Sequence, residues 1–105
     1  MKNYRFALSV ILAISLAFAA SARAESSWQT DYKSAQEQAK ASHKLLLVDF
    51  TGSDWCGWCI RLNAEVFSKP EFQNYATKNL VLVEVDFPRR KSQSTEVRKQ
   101  NQELA

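Results

Sequence analysis

Two stretches of this chain are nearly unbroken apolar sequence of strand length: Leu45-Leu46-Leu47-Val48-Asp49-Phe50 and Leu80-Val81-Leu82-Val83-Glu84-Val85-Asp86. A continuous run, in place of strict alternation, is the pattern of a strand covered on both faces. The sequence between the two runs is helical in character, so no tight hairpin can join them. Strands joined through a helix lie parallel, in a βαβ unit, and the chain is assigned to the α/β class. The first run predicts a buried central strand, and Phe87-Pro88 ends the second.

The helices follow from the spacing of apolar residues. Tyr32, Ala35 and Ala39, with Thr30 or Asp31 as N-cap, predict a helix over about 31–42, and Trp28 is expected to pack it onto the sheet. From Gly57 onward, Cys59, Leu62, Val66 and Phe67 fall on one face of a helix that runs to about Phe67. Ser68-Lys69-Pro70 breaks it and starts a shorter helix, with Pro70 suited to the first helical position, Phe72, Tyr75 and Ala76 on its apolar side and Asn79 as C-cap. The stretch from Ser92 to Ala105 is polar and helix-permissive, capped by Ser92 or Ser94, with Val97 and Leu104 its large aliphatic residues.

The N-terminus has the layout of a cleavable export signal. Lys2 and Arg5 precede an apolar run from Phe6 to Ala20, and Ala22-Arg23-Ala24 offers the small residues of a cleavage site. The run is shorter than the roughly 20 residues that span a bilayer. Residues 1–24 are therefore expected to be a signal peptide and 25–105 a single small domain, periplasmic or secreted. Cleavage takes the basic side chains from 14 to 11, equal to the 11 acidic ones, so the formal charge of +3 belongs to targeting. No nucleic acid or anionic membrane is expected as a partner. Arg89-Arg90-Lys91 reads as a solvated loop.

Both cysteines of the chain, Cys56 and Cys59, lie where the first strand gives way to the second helix. At a helix start, Cys56 meets the positive end of the macrodipole and unpaired N–H groups, which favour thiolate and bring a thiol pKa from about 8.5 into the range of roughly 3.5–7.5. Cys59 lies one helical turn on, within disulfide reach. Cys56 then attacks a substrate disulfide, and Cys59 resolves the mixed disulfide by attacking Cys56. A bridge over two residues closes too small a loop to restrain an unfolded chain much, which argues for chemistry over a staple. Haem attachment needs a histidine where Ile60 stands, and structural zinc needs four ligands where the chain offers two cysteines and His43. No metal or organic cofactor is expected. The competing reading is a non-catalytic binding module, or a Cu(I)-handling protein that uses the two thiolates as ligands.

The phrase Phe50-Thr51-Gly52-Ser53-Asp54-Trp55-Cys56-Gly57-Trp58-Cys59, with Leu62, Glu65-Val66-Phe67, Pro70-Glu71-Phe72 and Val83 to Pro88, resembles the thioredoxin superfamily, specifically its exported thioredoxin-like members. The resemblance implies a thioredoxin-like fold, protein thiols and disulfides as substrates, and a membrane-bound redox partner. Reducing, isomerising and oxidising directions are all open to such a pair. Asp49 resembles the buried acid that assists the resolving cysteine in that family, but stands one residue further from the first cysteine, and one residue can change the face it uses. It is either a proton-transfer residue or a partly solvated strand-end carboxylate. Asp54 is the weaker candidate, a loop residue. Trp55 is expected to pack against the fold, although the equivalent flank contacts substrate in thioredoxins. Trp58 is expected to be exposed, where it contacts substrate or tunes the helix start. The family's fold continues with a cis-proline turn, a β-hairpin and a last helix. Here only Pro70 and Pro88 are present, neither at that turn, so an incomplete, truncated thioredoxin-like domain is expected.

Overall fold

The fold follows the order predicted from the apolar spacing: α1 (Tyr32–Ser42), β1 (Leu45–Thr51), α2 (Gly57–Leu62), a π-helical segment (Asn63–Phe67), α3 (Pro70–Asn79), β2 (Leu80–Asp86) and α4 (Thr95–Leu104). The computed structural model describes residues 28–105. The expected signal peptide lies outside the described residues. β1 and β2 pair parallel, in register from Leu45↔Leu80 to Thr51↔Asp86, which is the βαβ arrangement that the helical connection requires.

The expectation of a buried central strand is met by β2 and not by β1. Val81, Leu82, Val83 and Val85 are no more than 4% exposed, whereas Leu45 is 75% and Phe50 51% exposed. The reason lies at the strand edges. The far edge of β2 carries Gln29, whose N–H donates to Leu82 O (2.9 Å) and whose carbonyl accepts from Glu84 N–H (2.8 Å). Among the described residues β1 pairs on one side only.

Because in-register residues of parallel strands share a face, the sheet has two distinct sides. On one, Val81, Val83 and Val85 pack with Ala35 and Ala39 of α1, joined by Tyr32, Leu46, Val48, Phe87 and Leu104. The small alanines let α1 approach the sheet closely. On the other side lie Leu82, Glu84 and Asp86 of β2 with Leu47 and Asp49 of β1, and α3 packs against β2 with Ala76 fully buried.

The caps are chosen by local chemistry. The Asp31 carboxylate accepts from Ser34 N–H at 2.9 Å, and His43 takes the left-handed conformation (φ 55°) that ends α1. Ser94 caps α4 by accepting from Val97 N–H at 3.2 Å. This helix docks through Leu104 on the core and through polar groups. Asn101, 1% exposed, donates to Asp86 O (2.9 Å), and Gln100 bridges Thr30 O (2.8 Å) and Tyr32 N–H (2.9 Å).

Three side-chain placements differ from expectation. The helix after the cysteines is α-helical only to Leu62, and the wider π turns shift its phase. Phe67 turns inward, while Leu62 and Val66 are 41% and 42% exposed, not on a shared buried face. Trp28 packs on Phe67 and Phe72, at centroid distances of 5.0 and 6.5 Å, and not on the first helix, because the Gln29 bridge carries it to the opposite side of the sheet. Tyr75 stands exposed beside buried Ala76, and the C-cap is Leu80 and not Asn79, which is the last residue of α3 and donates its side-chain amide to Tyr75 O at 2.9 Å.

Candidate active site

β1 ends at Thr51, and the chain turns through Gly52, whose carbonyl accepts from Trp55 N–H (3.2 Å) and Cys56 N–H (2.8 Å). This turn delivers Cys56 to the N-cap of α2, the strand-to-helix position the sequence predicts. Cys56 and Cys59 are disulfide-bonded, with Cα atoms 5.2 Å apart, and Cys59 N–H points at Cys56 Sγ at 3.3 Å. An amide aimed at a sulfur favours negative charge there. Both cysteines are half-buried.

The turn is fixed from three directions. Asp86 at the end of β2 accepts from Ser53 N–H (2.9 Å) and Ser53 Oγ (2.5 Å). The Trp55 indole lies over Gly52 so closely that a Cβ there would come 2.6 Å from Cζ2 and Nε1, so any larger residue would displace the indole. Trp55 Nε1 in turn donates to Phe87 O at 2.7 Å. Asp54, read from sequence as a loop residue, accepts from the backbone amides of Arg89 (2.9 Å), Arg90 (2.7 Å) and Lys91 (2.9 Å). Those bonds, Arg89's foremost, with the Lys91 charge, lower the Asp54 pKa to about 2. The side chains of Arg89, Arg90 and Lys91 are exposed, as a solvated loop would have them, but their backbone is tied to the cysteine loop.

The two tryptophans flank the disulfide with different exposures, 43% for Trp55 and 78% for Trp58. Trp55 packs against the fold, as expected, and carries the Arg89 guanidinium over its ring at 3.9 Å. Arg61, paired with Glu65 at 2.9 Å, lies 5.8 Å from the Trp58 ring. The rim of the site is therefore aromatic surface with cations on it.

Behind the disulfide opens a cleft of about 350 Å³, walled by Cys59, Ile60, Asn63, Thr51, Ser53, Trp28, Glu84 and Lys91. Asp49 is half-buried, in register with Glu84 and on the same face, but not in the wall of the cleft. Burial, then the charge of Asp86, raises its pKa. The Glu84 pKa is raised by burial first and then by Asp86 and Asp49, against the opposing pull of Lys91. Glu84 is the residue sequence reasoning passed over. The signal that could have found it is an acid inside an apolar strand; Asp49 was singled out instead by its resemblance to the family's buried acid. Among the described residues no three of His, Cys, Asp and Glu gather as a metal site would need.

The thioredoxin-like family model matches residues 27–103 of the chain. The disulfide bond reductase DsbH of Chlamydia pneumoniae is 43% identical over 83 residues, covering 79% of this chain and 49% of DsbH. The thioredoxin-related protein DsbJ of the same organism is 32% identical over 105 residues, covering 96% of this chain and 30% of DsbJ. A solved structure of the DsbH oxidoreductase superposes with a TM-score of 0.71 at 43% identity, over 77% of this chain and 56% of that one. The chain thus spans about half or less of the curated relatives it matches.

Proposed function

This chain belongs to the thioredoxin-like family and has its fold, and from that premise we propose that it is a thiol-disulfide oxidoreductase acting on protein disulfides in the reducing direction. The observation that carries the reading is the Cys56–Cys59 pair at the start of α2, with an amide directed at the sulfur of Cys56. The direction is supported by the likeness to a protein named as a disulfide bond reductase.

In the reduced chain, the Cys56 thiolate attacks one sulfur of a substrate disulfide, forming a mixed disulfide and releasing one substrate thiol. Cys59 loses its proton and attacks Cys56 Sγ. The Cys56–Cys59 bond forms, the second substrate thiol leaves, and two electrons have passed to the substrate. One of the two half-buried carboxylates paired on this face of the sheet, Asp49 or Glu84, accepts the proton that Cys59 gives up. Trp55 and Trp58 supply the aromatic surface on which a substrate segment rests beside the disulfide. The Lys2 to Ala24 signal layout supports work outside the cytoplasm, where substrate disulfides form, with a membrane-bound donor to restore the dithiol.

The reading is tested by trapping. Cys59→Ser is expected to accumulate mixed disulfides with oxidised protein substrates, visible as thiol-sensitive adducts on non-reducing gels, and Cys56→Ser to accumulate none through residue 59. Failure of Cys59→Ser to trap any substrate through Cys56, or Cu(I) binding that blocks exchange, would sink the proposal in favour of a metal-handling role.

A further inference from the structure

The sheet places two carboxylates in register on one face, and only one of them lines the cleft that holds the second cysteine. Asp49 and Glu84 are register partners on adjacent strands, about 4.8 Å apart by sheet geometry, and point to the same face. Glu84 forms part of the wall of the cleft that also exposes Cys59, and Asp49 does not. We infer that Glu84, not Asp49, is the group that takes the proton of Cys59 when Cys59 resolves the mixed disulfide. The inference rests on the oxidoreductase reading above.

The surroundings of Glu84 suit that task. From β1 it faces Asp49, along β2 it feels Asp86, and from the segment after β2 it feels Lys91, which also lines the cleft. Burial and the neighbouring carboxylates of Asp86 and Asp49 favour the protonated form of Glu84, and of the two strand acids it is the one that shares the cleft with the Cys59 thiol. The cleft is open and large enough for water, so the transfer runs directly or through one solvent molecule. Lys91 is held there by the three amides that bind Asp54, and its charge limits how far the Glu84 proton is retained. The step balances: the Cys59 proton goes to the Glu84 carboxylate, Cys59 S⁻ bonds to Cys56 Sγ, and the substrate sulfur departs as thiolate and is protonated from water. Glu84 later returns its proton to solvent through the cleft.

The test uses the reduced chain and an aromatic disulfide such as 5,5′-dithiobis(2-nitrobenzoate), which releases one coloured thiolate on attack by Cys56 and a second on closure by Cys59. Stopped-flow traces from pH 5 to 9 separate the two phases. Glu84→Gln is expected to slow the second phase by at least about tenfold near neutral pH and move its pH midpoint upward, a general-base effect. The first phase should stay within about twofold of the unsubstituted chain, and Asp49→Asn should slow the second by less than about threefold. Glu84→Asp, which keeps a carboxylate, should hold the original pH profile with a smaller loss of rate. An unchanged second phase in Glu84→Gln, the larger loss in Asp49→Asn, or a Glu84→Asp profile like that of Glu84→Gln would each overturn the assignment. Absence of any second phase in the unsubstituted chain would instead overturn the oxidoreductase reading beneath it.

Discussion

Three consecutive amides, those of Arg89, Arg90 and Lys91, converge on the carboxylate of Asp54 and hold the segment after β2 against the cysteine loop. The charged carboxylate is the form these donors stabilise, which is why its folded pKa falls from 3.8 to about 2. A depressed carboxylate pKa contributes stability that is fully present above the unfolded value and is lost as pH falls through the folded one. Asp54→Asn is therefore expected to melt below the unsubstituted chain at pH 6–7, with the difference closing as pH falls from about 4 to about 2. Thermal melts across that range decide it, and a gap independent of pH would contradict the role. The sequence showed Asp54 only as a loop acid because its partners are backbone amides 35 to 37 residues away, which carry no signature in residue type. Asp49 was legible through its resemblance to the buried acid of the family. Which of Asp49 and Glu84 shares a cleft with the second cysteine was not legible, since the two are register partners on one face and the choice depends on the folded path of the chain around the cleft.

At the scale of elements, the parallel pairing of β1 and β2 was legible because apolar strand runs separated by helical sequence leave few alternatives. Their relative burial was not, because a strand's cover depends on what pairs at its edges, and the Gln29 bridge to β2 comes from one residue with no strand pattern around it. The π segment was equally silent, since α and π turns are composed of the same residue types. Helix α4 shows the same limit. The sequence showed Val97 and Leu104 as its large aliphatic residues, and Leu104 does pack on the core, but the hydrogen bonds of Gln100 and Asn101 that also dock it left no sign in the apolar pattern. Asn101 is 1% exposed and donates to Asp86 O, next to the carboxylate that holds Ser53. Asn101→Ala removes that donor from a buried carbonyl and is expected to cost about 1–3 kcal/mol of stability by urea denaturation. A loss of a few tenths of a kcal/mol would mean that α4 docks by its apolar residues alone.

For the molecule as a whole, the site is assembled by contacts between segments far apart in sequence: the loop after β1, the end of β2 and the segment leading to α4. The disulfide itself adds little to this assembly. The four-residue loop it closes gives an entropic contribution of about 2 kcal/mol on a loop-closure model, less than the roughly 3 kcal/mol of a 15-residue loop. A domain of this size is held by a small core, so the pair can pass between oxidised and reduced states only if Ser53, Asp54, Trp55 and Asp86 keep the loop in place in both. The central claim, that Cys56 and Cys59 form a working redox couple in this chain, is tested most directly by equilibrating the protein in glutathione or dithiothreitol buffers of graded potential and reading the fraction of disulfide. A reversible two-electron transition is expected, about 30 mV per decade, in the more reducing half of the roughly −270 to −120 mV range of related sites, with the fold intact in both states. A pair that shows no reversible disulfide across that range, or a chain that loses its fold on reduction, would contradict the account.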